Sequence, residues 1–223
     1  MQKDFLFYKN FLDTSKTLAS PLFENIFYPW EVLPLIKNFI IETGKNLPSN
    51  EYEELKENVW ISKKASVFPS AHIEGPTIIE ENAQIRHGAF IRGGVIIGKN
   101  AVAGNSTEIK NVILFDEVQV PHFNYVGDSI LGYKAHLGAG AITSNVKSDK
   151  SEIILKVNGE KINTELKKFG AIIGDYSEIG CNAVLNPGTI LGSNTSVYPT
   201  SMVRGVIEEN IIFKNSGEIV KKI

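Results

Sequence analysis

The sequence predicts an all-β fold, a parallel β-helix of hexapeptides, from the regular spacing of its aliphatic residues. Two trains of aliphatic or small side chains recur every six residues, and a small or β-branched residue stands four positions after nearly every member. A six-residue period drifts around a helix of about 3.6 residues per turn, whereas even offsets stay on one face of an extended chain. The trains are Ile61, Val67, Ile73, Ile79, Ile85, Ile91, Ile97, Ala103 and Ile109, then Ile173, Ile179, Leu185, Leu191, Val197 and Val203.

Glycine and asparagine mark the corners that such repeats require. Each hexapeptide supplies one short strand and one corner, so three hexapeptides complete one coil of a triangular prism with the aliphatic side chains along its axis. Gly and Asn accept the positive φ of tight corners. They stand at or near the expected corners at Gly98, Gly104, Gly174, Gly180, Asn182, Gly192 and Asn194.

Composition narrows the classes of partner. The 223 residues suffice for one sizeable core with a small appendage, and the net charge of −2 disfavours a nucleic-acid or basic membrane-surface binder. No signal peptide or membrane-spanning stretch is recognisable. Cys181 is the only cysteine, so neither an internal disulfide nor a cysteine-based metal cage is possible. We therefore expect no metal site and a cytoplasmic location.

Residues 1–59 are predicted to form a small helical N-terminal cap, because the hexapeptide rhythm is absent there. Pro29 stands near the start of a helical pattern and Gly44 past its end. Residues 60–223 are predicted to form the β-helix domain. The apolar residues of the helical pattern are Trp30, Leu33, Ile36, Phe39 and Ile40.

An arm at residues 151–168 interrupts the β-helix domain. Its segment EIILKVNGEKINTEL alternates around Asn158-Gly159, which predicts a tight hairpin. We expect the arm to leave the prism and reach a neighbouring subunit, because a lone hairpin cannot bury its own apolar side chains. The short polar tail after Arg204 ends in either an apolar strand or a helical turn, and the sequence does not decide between them.

A run of polar residues from 91 to 145 carries the candidate chemistry. It reads as an arginine, then G-N-x-x-E-x-K, then H-x-x-Y-x-G-D, and finally G-A-G-x-I-T-x-N. This pattern resembles the acetyltransferase half of the bifunctional N-acetylglucosamine-1-phosphate uridyltransferases, within the hexapeptide-repeat acyltransferase superfamily. The matching positions are Arg92, Gly104, Asn105, Glu108, Lys110, His122, Tyr125, Gly127, Asp128, Gly138, Ala139, Gly140, Ile142, Thr143 and Asn145.

The resemblance implies a single-stranded left-handed β-helix that assembles as a homotrimer and uses acetyl-CoA as co-substrate. It implies that His122 is the general base, with Glu108 orienting its imidazole. The implied contacts to the amino-sugar phosphate are Arg92, Lys110, Tyr125, Asn145 and Asn105. Those to the acyl donor are Gly138, Ala139, Gly140 and Cys181.

Spacing supports the phosphate contacts independently. Arg92 and Lys110 are eighteen residues apart, which is three hexapeptides, so in an unbroken coil they stack on one face. Stacked cations repel unless an anion lies between them, and a sugar phosphate would supply that anion. The alternative is a pair of solvated surface charges.

Other residues of the pattern also have structural interpretations. His122 could fill a corner beside Pro121, Tyr125 could be a half-buried aromatic side chain, and Asn145 could be a corner residue. Cys181 is expected to be a small corner residue beside the donor and not a nucleophile, because members of the superfamily transfer the acyl group directly.

Some features depart from the family pattern. No nucleotidyltransferase segment is recognisable before the coils, and Val146 replaces the usual tyrosine after Asn145. The expected function is N-acetylation of an amino-sugar phosphate, such as glucosamine 1-phosphate, in sugar-nucleotide synthesis. The alternative is a non-catalytic trimeric module that binds a sugar phosphate or sugar nucleotide and partners a separate nucleotidyltransferase.

Overall fold

The computed structural model describes residues 6–215 and 217–222, so the ends of the predicted cap (1–5) and of the predicted β-helix domain (223) lie outside the described residues. The chain forms a parallel β-helix of roughly nine coils with three faces. Core residues of the sequence pattern, such as Ile79, Ile91 and Ile97, are fully buried along its axis.

Face 1 is a continuous sheet of short strands. The last parallel strand pairs antiparallel with Ile219–Lys221, so the tail that the sequence left open is a strand. The parallel strands of face 1 are Ser66–Val67, Gln84–Ile85, Val102–Asn105, Gln119–His122, His136–Leu137, Glu178–Ile179, Ser196–Val197 and Ile211–Phe213.

Faces 2 and 3 share two long strands, Glu108–Leu114 and Tyr125–Leu131, which bend around the edge between them. The other strands of face 2 are His72–Glu74, Phe90–Arg92, Ile142–Thr143, Val184–Leu185 and Met202–Val203. The other strands of face 3 are Val59–Ser62, Thr77–Ile79, Val95–Ile97, Ala171–Ile173, Thr189–Leu191 and Val206–Ile207.

The hexapeptide rhythm breaks after Ile109 because one corner becomes shorter. Ile109 pairs with Ile91, eighteen residues earlier, whereas Val112 pairs with Val95, seventeen residues earlier. The coil therefore loses one residue at the edge between faces 2 and 3, and the core continues through Leu114, Val120 and Val126 without a gap.

The described part of the cap contains one α-helix, Ile36–Gly44, which contacts strands of face 3. It begins seven residues after Pro29, and Gly44 is its last residue and not the one past its end, so both predicted limits shift. Short 3₁₀ helices lie before it in the described part of the cap, at Tyr8–Asn10, Thr14–Lys16, Ser20–Phe23 and Pro29–Val32. Aromatic side chains fasten the cap to the prism: the Phe23 and Phe115 ring centroids are 5.9 Å apart, and those of Trp30 and Phe169 are also 5.9 Å apart. No helix in the described part of the chain has the length and apolar character needed to cross a bilayer.

The expectation that the helical cap continues to residue 59 is wrong. Tyr52–Lys56 is a strand that pairs antiparallel with Val59–Ser62. Asn58, with φ of 58°, supplies the tight turn between them. The strand covers the edge of face 3 with exposed charged side chains, which suits an edge strand.

The arm is the predicted hairpin, with strands Ile154–Val157 and Glu160–Asn163 around Asn158-Gly159. The expectation that the arm cannot bury its apolar side chains within its own subunit is wrong, because one side of the hairpin packs back on its own chain. Ile153, Leu155 and Val157 are only 2 %, 3 % and 8 % exposed. A Cβ added at Gly188 would lie 2.6 Å from a methyl of Ile153, so a glycine in a nearby coil makes room for the arm.

Candidate active site

Face 2 carries the predicted site residues along its two edges. We call the edge that it shares with face 1 edge 1/2, which includes His122, and the edge that it shares with face 3 edge 2/3, which includes Lys110. A face about three residues wide separates them, or roughly 10 Å in an extended strand.

Edge 1/2 aligns four of the predicted residues in one column. Asn105 pairs with His122, and the His122 carbonyl accepts a 3.0 Å hydrogen bond from the amide of Gly140, the residue after Ala139. The Ala139 carbonyl accepts from Asn182 N at 2.8 Å, which places Cys181 next in the column. His122 and Cys181 are both exposed. This edge therefore presents an imidazole above a strip of small residues.

Buried hydrogen bonds fix the backbone around His122. Asn124, 3 % exposed, donates to the carbonyls of Gly138 at 2.8 Å and Ala141 at 3.1 Å, and its Oδ1 accepts from His122 N at 3.1 Å. A Cβ at Gly138 would lie 2.7 Å from the Cys181 nitrogen, so successive coils are in close contact here. The glycines thus make a smooth surface that a ligand can approach closely.

Glu108 has a different partner from the one that the sequence predicts. Its Oε1 lies 2.6 Å from Arg92 Nη1, in an ion pair with both side chains more than a third exposed. This hydrogen bond raises the pKa of Arg92. Arg92 lies in the next coil on the same face, so the two residues approach across adjacent strands. The role of Glu108 in orienting His122 stays a prediction.

Lys110 follows Ile109, and Arg92 follows Ile91, so the pairing of Ile109 with Ile91 brings the two cations into adjacent coils as predicted. Burial lowers the pKa of Lys110, the carboxylate of Asp128 opposes that shift, and the cations Lys168, Arg92 and Lys37 lower the pKa further. Several positive charges therefore converge on edge 2/3. A bound anion would relieve their mutual repulsion.

Tyr125 and Asn145 lie beside these cations. Burial, followed by the charges of Asp128 and Glu108, raises the pKa of the Tyr125 phenol, and a hydrogen bond with the Asn145 side chain partly opposes that rise. A Cβ at Gly127 would lie 2.6 Å from the Tyr125 hydroxyl and 2.8 Å from Asn145 Nδ2. The glycine leaves the space that these two polar groups occupy.

Sequence reasoning missed two of the cations at edge 2/3. Lys37 belongs to the cap helix, and Lys168 is the last residue of the arm. The hexapeptide spacing cannot place either residue, because each lies outside the repeats.

A basic cavity of about 790 Å³ lies beside the arm, near Asn145. Its lining includes Lys147, Lys156, Lys161 and Arg204, together with the carboxylate of Asp149. Arg204 follows Val203 as Lys110 follows Ile109, so the cavity lies on the continuation of edge 2/3.

Residues 6–215 and 217–222 contain no group of three or more His, Cys, Asp or Glu side chains that could hold a metal ion.

Comparisons with known proteins agree with the fold and the pattern of polar residues. Residues 73–169 match the family model described as the GMPPB C-terminal domain. The chain is 33% identical over 222 residues to the bifunctional protein GlmU of Methanococcus vannielii, covering 96% of this chain and 53% of the relative. It thus spans about half the length of the first curated relatives that it matches.

A second relative has a length closer to that of this chain. The uncharacterized acetyltransferase YaiX of Escherichia coli O6:K15:H31 is 30% identical over 200 residues, with 82% of this chain and 83% of the relative covered. The solved structure of the polySia specific acetyltransferase NeuO aligns with a TM-score of 0.51 at 18% identity, covering 66% of this chain and 71% of that chain. The predicted left-handed β-helix is thereby confirmed.

A left-handed prism with polar residues along the edges of one face defines a class of hexapeptide-repeat transferases. Within that class, the chain belongs to the hexapeptide-repeat acyltransferase superfamily and is similar to its GlmU-type members.

Proposed function

We propose that the protein is an acetyl-CoA-dependent N-acetyltransferase that acts on an amino-sugar phosphate. The observation that carries the proposal is the convergence of Arg92, Lys110 and Lys168 beside Tyr125 and Asn145 at edge 2/3. Cations attract a phosphate, while a phenol and an amide can hydrogen-bond sugar hydroxyls. Relatives named bifunctional GlmU and acetyltransferase YaiX support the same class of reaction.

The proposed mechanism assigns the proton transfer to His122. The neutral amine of the sugar attacks the thioester carbonyl, so that a C–N bond forms and the C–S bond breaks. The His122 imidazole takes the proton that the nitrogen loses, and the departing thiolate is protonated to give free CoA thiol. The small residues of edge 1/2, including Ala139 and Cys181, would border the acyl donor.

We propose a homotrimer, because His122 and the phosphate-binding cations lie on opposite edges of one face. In a ring of prisms, edge 1/2 of one protomer can face edge 2/3 of the next. The basic cavity with Lys147 and Arg204 would then receive the phosphates of the donor.

The decisive experiment measures thiol release from acetyl-CoA with a panel of hexosamine phosphates. Transfer to one of them supports the proposal, and binding of a sugar phosphate without thiol release would instead favour a non-catalytic binding module. Calorimetry with the best phosphorylated sugar then tests the anion site.

We expect Arg92→Ala and Lys110→Ala each to weaken binding of the sugar phosphate by about 1.5–3 kcal/mol, because a charged hydrogen bond is lost. Binding of the plain amino sugar should barely change, and Lys64→Ala, which removes an exposed lysine paired with Glu81, is the matched control. Equal losses for both sugars would show that these cations do not bind the phosphate.

A further inference from the structure

Two corners of edge 2/3 carry polar side chains where the preceding coil has glycine. Asn111 and Asp128 adopt φ of 53° and 47°, and Gly93 and Gly94 adopt 77° and 66° at the corner before them. Glycine takes this left-handed backbone freely, and Asn and Asp take it at a modest cost.

The two side chains belong to a chain of hydrogen bonds that runs from the cap to the candidate site. Asn111 Nδ2 donates to the Leu33 carbonyl of the cap at 3.3 Å and to Asp128 Oδ1 at 3.0 Å. Asn145 Nδ2 donates to the other oxygen, Asp128 Oδ2, at 2.5 Å. Asp128 is 5 % exposed, so its carboxylate is committed to these two amides and is not free to contact solvent.

A carboxylate accepts hydrogen bonds and donates none, so it decides which way each amide points. The Nδ2 group of Asn145 must face Asp128, and its second hydrogen is then available to the Tyr125 oxygen, consistent with the lowering effect of Asn145 on the pKa of Tyr125. The Asn145 Oδ1 acceptor and the Tyr125 O–H donor remain for a ligand. One acceptor and one donor side by side match a single hydroxyl group, which both donates and accepts.

We propose that Asp128 is a positioning residue that, with Asn111, holds Asn145 and Tyr125 as an acceptor and donor pair for one ring hydroxyl of the acceptor sugar. This inference rests on the proposed function and adds how the site distinguishes one hexosamine phosphate from its epimer.

The charge of Asp128 argues for this orienting role. A carboxylate within electrostatic reach of Lys110 opposes the binding of a phosphate at that lysine. An asparagine at position 128 would avoid the opposition and could take the same backbone conformation. It could not, however, accept from both Asn111 and Asn145 through two oxygens. The carboxylate therefore has a function that outweighs its electrostatic cost.

The test compares Asp128→Asn with wild type for transfer to two hexosamine phosphates that differ in the configuration of one ring hydroxyl. We expect the KM for the preferred sugar to rise about tenfold or more while kcat stays within about threefold, because a ground-state contact is lost. The discrimination between the epimers should fall. Asp175→Asn is the matched control, since Asp175 is 7 % exposed and accepts from two backbone amides, Asp13 N of the cap and Tyr133 N of the prism.

A double variant that exchanges the residues at positions 128 and 145, which we call the swapped pair, tests whether a hydrogen bond between these positions is enough to support the fold. In Asp128→Asn combined with Asn145→Asp, the new amide can donate to the new carboxylate, so the melting temperature should recover. The carboxylate at 145 cannot donate to Tyr125, so the KM and the epimer discrimination should not recover.

Two results would overturn the inference: wild-type KM and discrimination in Asp128→Asn, or recovery of both by the swapped pair. If Asp128→Asn does not fold, recovery of the wild-type KM and discrimination by the swapped pair still overturns the inference. A wild-type protein that neither binds nor acetylates any hexosamine phosphate refutes the proposed function itself, and that result is obtained before any variant is made.

Discussion

At the scale of single residues, the stacked coils align the side chains of each edge in a column. One substitution in such a column changes the chemical groups that the edge presents. On edge 1/2 the column runs through Asn105, His122, Ala139 and Cys181, and His122 carries the imidazole that can take a proton from an attacking amine. Its neighbours above and below are an amide and a methyl group, so the imidazole is accessible on both sides. These features suit a general base.

We predict that His122→Ala keeps the fold but lowers the turnover number by about 10²–10⁴, the usual cost of losing a general base. Steady-state thiol release measures the turnover number, with His136→Ala, on face 1 and bonded to Glu178, as the control. Normal turnover in folded His122→Ala protein would eliminate the mechanism.

At the scale of elements, buried carboxylates join the cap to the prism. Glu80 is 3 % exposed and hydrogen-bonded to the backbone of Leu18, and burial, followed by the charge of Asp116, raises its pKa to about 7. Burial also raises the pKa of Asp175 to about 6, while its carboxylate accepts from Asp13 N of the cap. These groups are more easily protonated in the folded protein than in the unfolded chain.

The sign of the pH dependence follows from that difference. A raised carboxyl pKa gives a contribution to stability that is complete below the unfolded pKa, about 4.5 for Glu, and is lost as pH rises through the folded pKa of about 7. Above that pH, the folded protein bears the cost of a charged Glu80.

We therefore predict that Glu80→Gln raises the melting temperature at pH 8.5 and has little effect, or a small destabilising effect, at pH 5. The expected gain is on the order of 2–3 kcal/mol at most, from the size of the shift. Thermal unfolding at the two pH values measures it, with Glu81→Gln as the control. Glu81 is the next residue, its side chain is 39 % exposed, and the hydrogen bond that it accepts from Lys64 lowers its pKa. An equal effect of Glu80→Gln at both pH values would contradict the prediction.

The arm is the other element whose attachment can be tested. Gly188 has φ of 78°, and an added Cβ would lie 2.6 Å from Ile153 and 3.0 Å from Leu155. Gly205 has φ of 85° and no atom within 4 Å of such a Cβ. The two glycines share the strained backbone and differ in the contact with the arm.

We predict that Gly188→Ala costs about 1–3 kcal/mol more than Gly205→Ala, the range for overpacking a buried contact. It should also expose the arm, so limited proteolysis should cut within residues 151–168 faster than in Gly205→Ala. Equal stability and equal cleavage in the two variants would mean that the arm is not attached through Ile153 and Leu155.

The period of six predicted the coils and the hairpin signal predicted the arm, because both depend on local sequence. Contacts between distant segments were not predictable in this way. The shortened corner at Asn111 hides the repeat after Ile109, and the docking of the arm depends on Gly188, far along the chain. The same limit applies to the candidate site. The spacing of the repeats predicted that Arg92 and Lys110 lie together, but it could not place Lys37 and Lys168, which lie outside the repeats.

At the scale of the whole molecule, a group of exposed apolar side chains lies on face 2 and edge 1/2. Phe123, beside His122, is 64 % exposed and has φ of 54°. A left-handed backbone is a genuine outlier for a bulky residue, so this exposed position is retained at a cost. Met202, Ile142, Phe68 and Tyr198 are 68 %, 37 %, 52 % and 43 % exposed along the same region. Such a surface suits burial between protomers.

The proposed trimer therefore predicts that Phe123→Asp dissociates the protein. An interface of this kind buries on the order of 2,000 Å² or more, and a carboxylate at its centre would lose its water without gaining a partner. Sedimentation velocity at micromolar and nanomolar concentrations measures the change. Leu55→Asp is the control, because Leu55 is 58 % exposed on the strand that precedes the first coil.

Acetyl transfer should fall with the trimer, since His122 of one prism would no longer face Lys110 of the next. A wild-type monomer at both concentrations would remove the trimer from the proposal, and a trimeric Phe123→Asp protein would place the interface on another face.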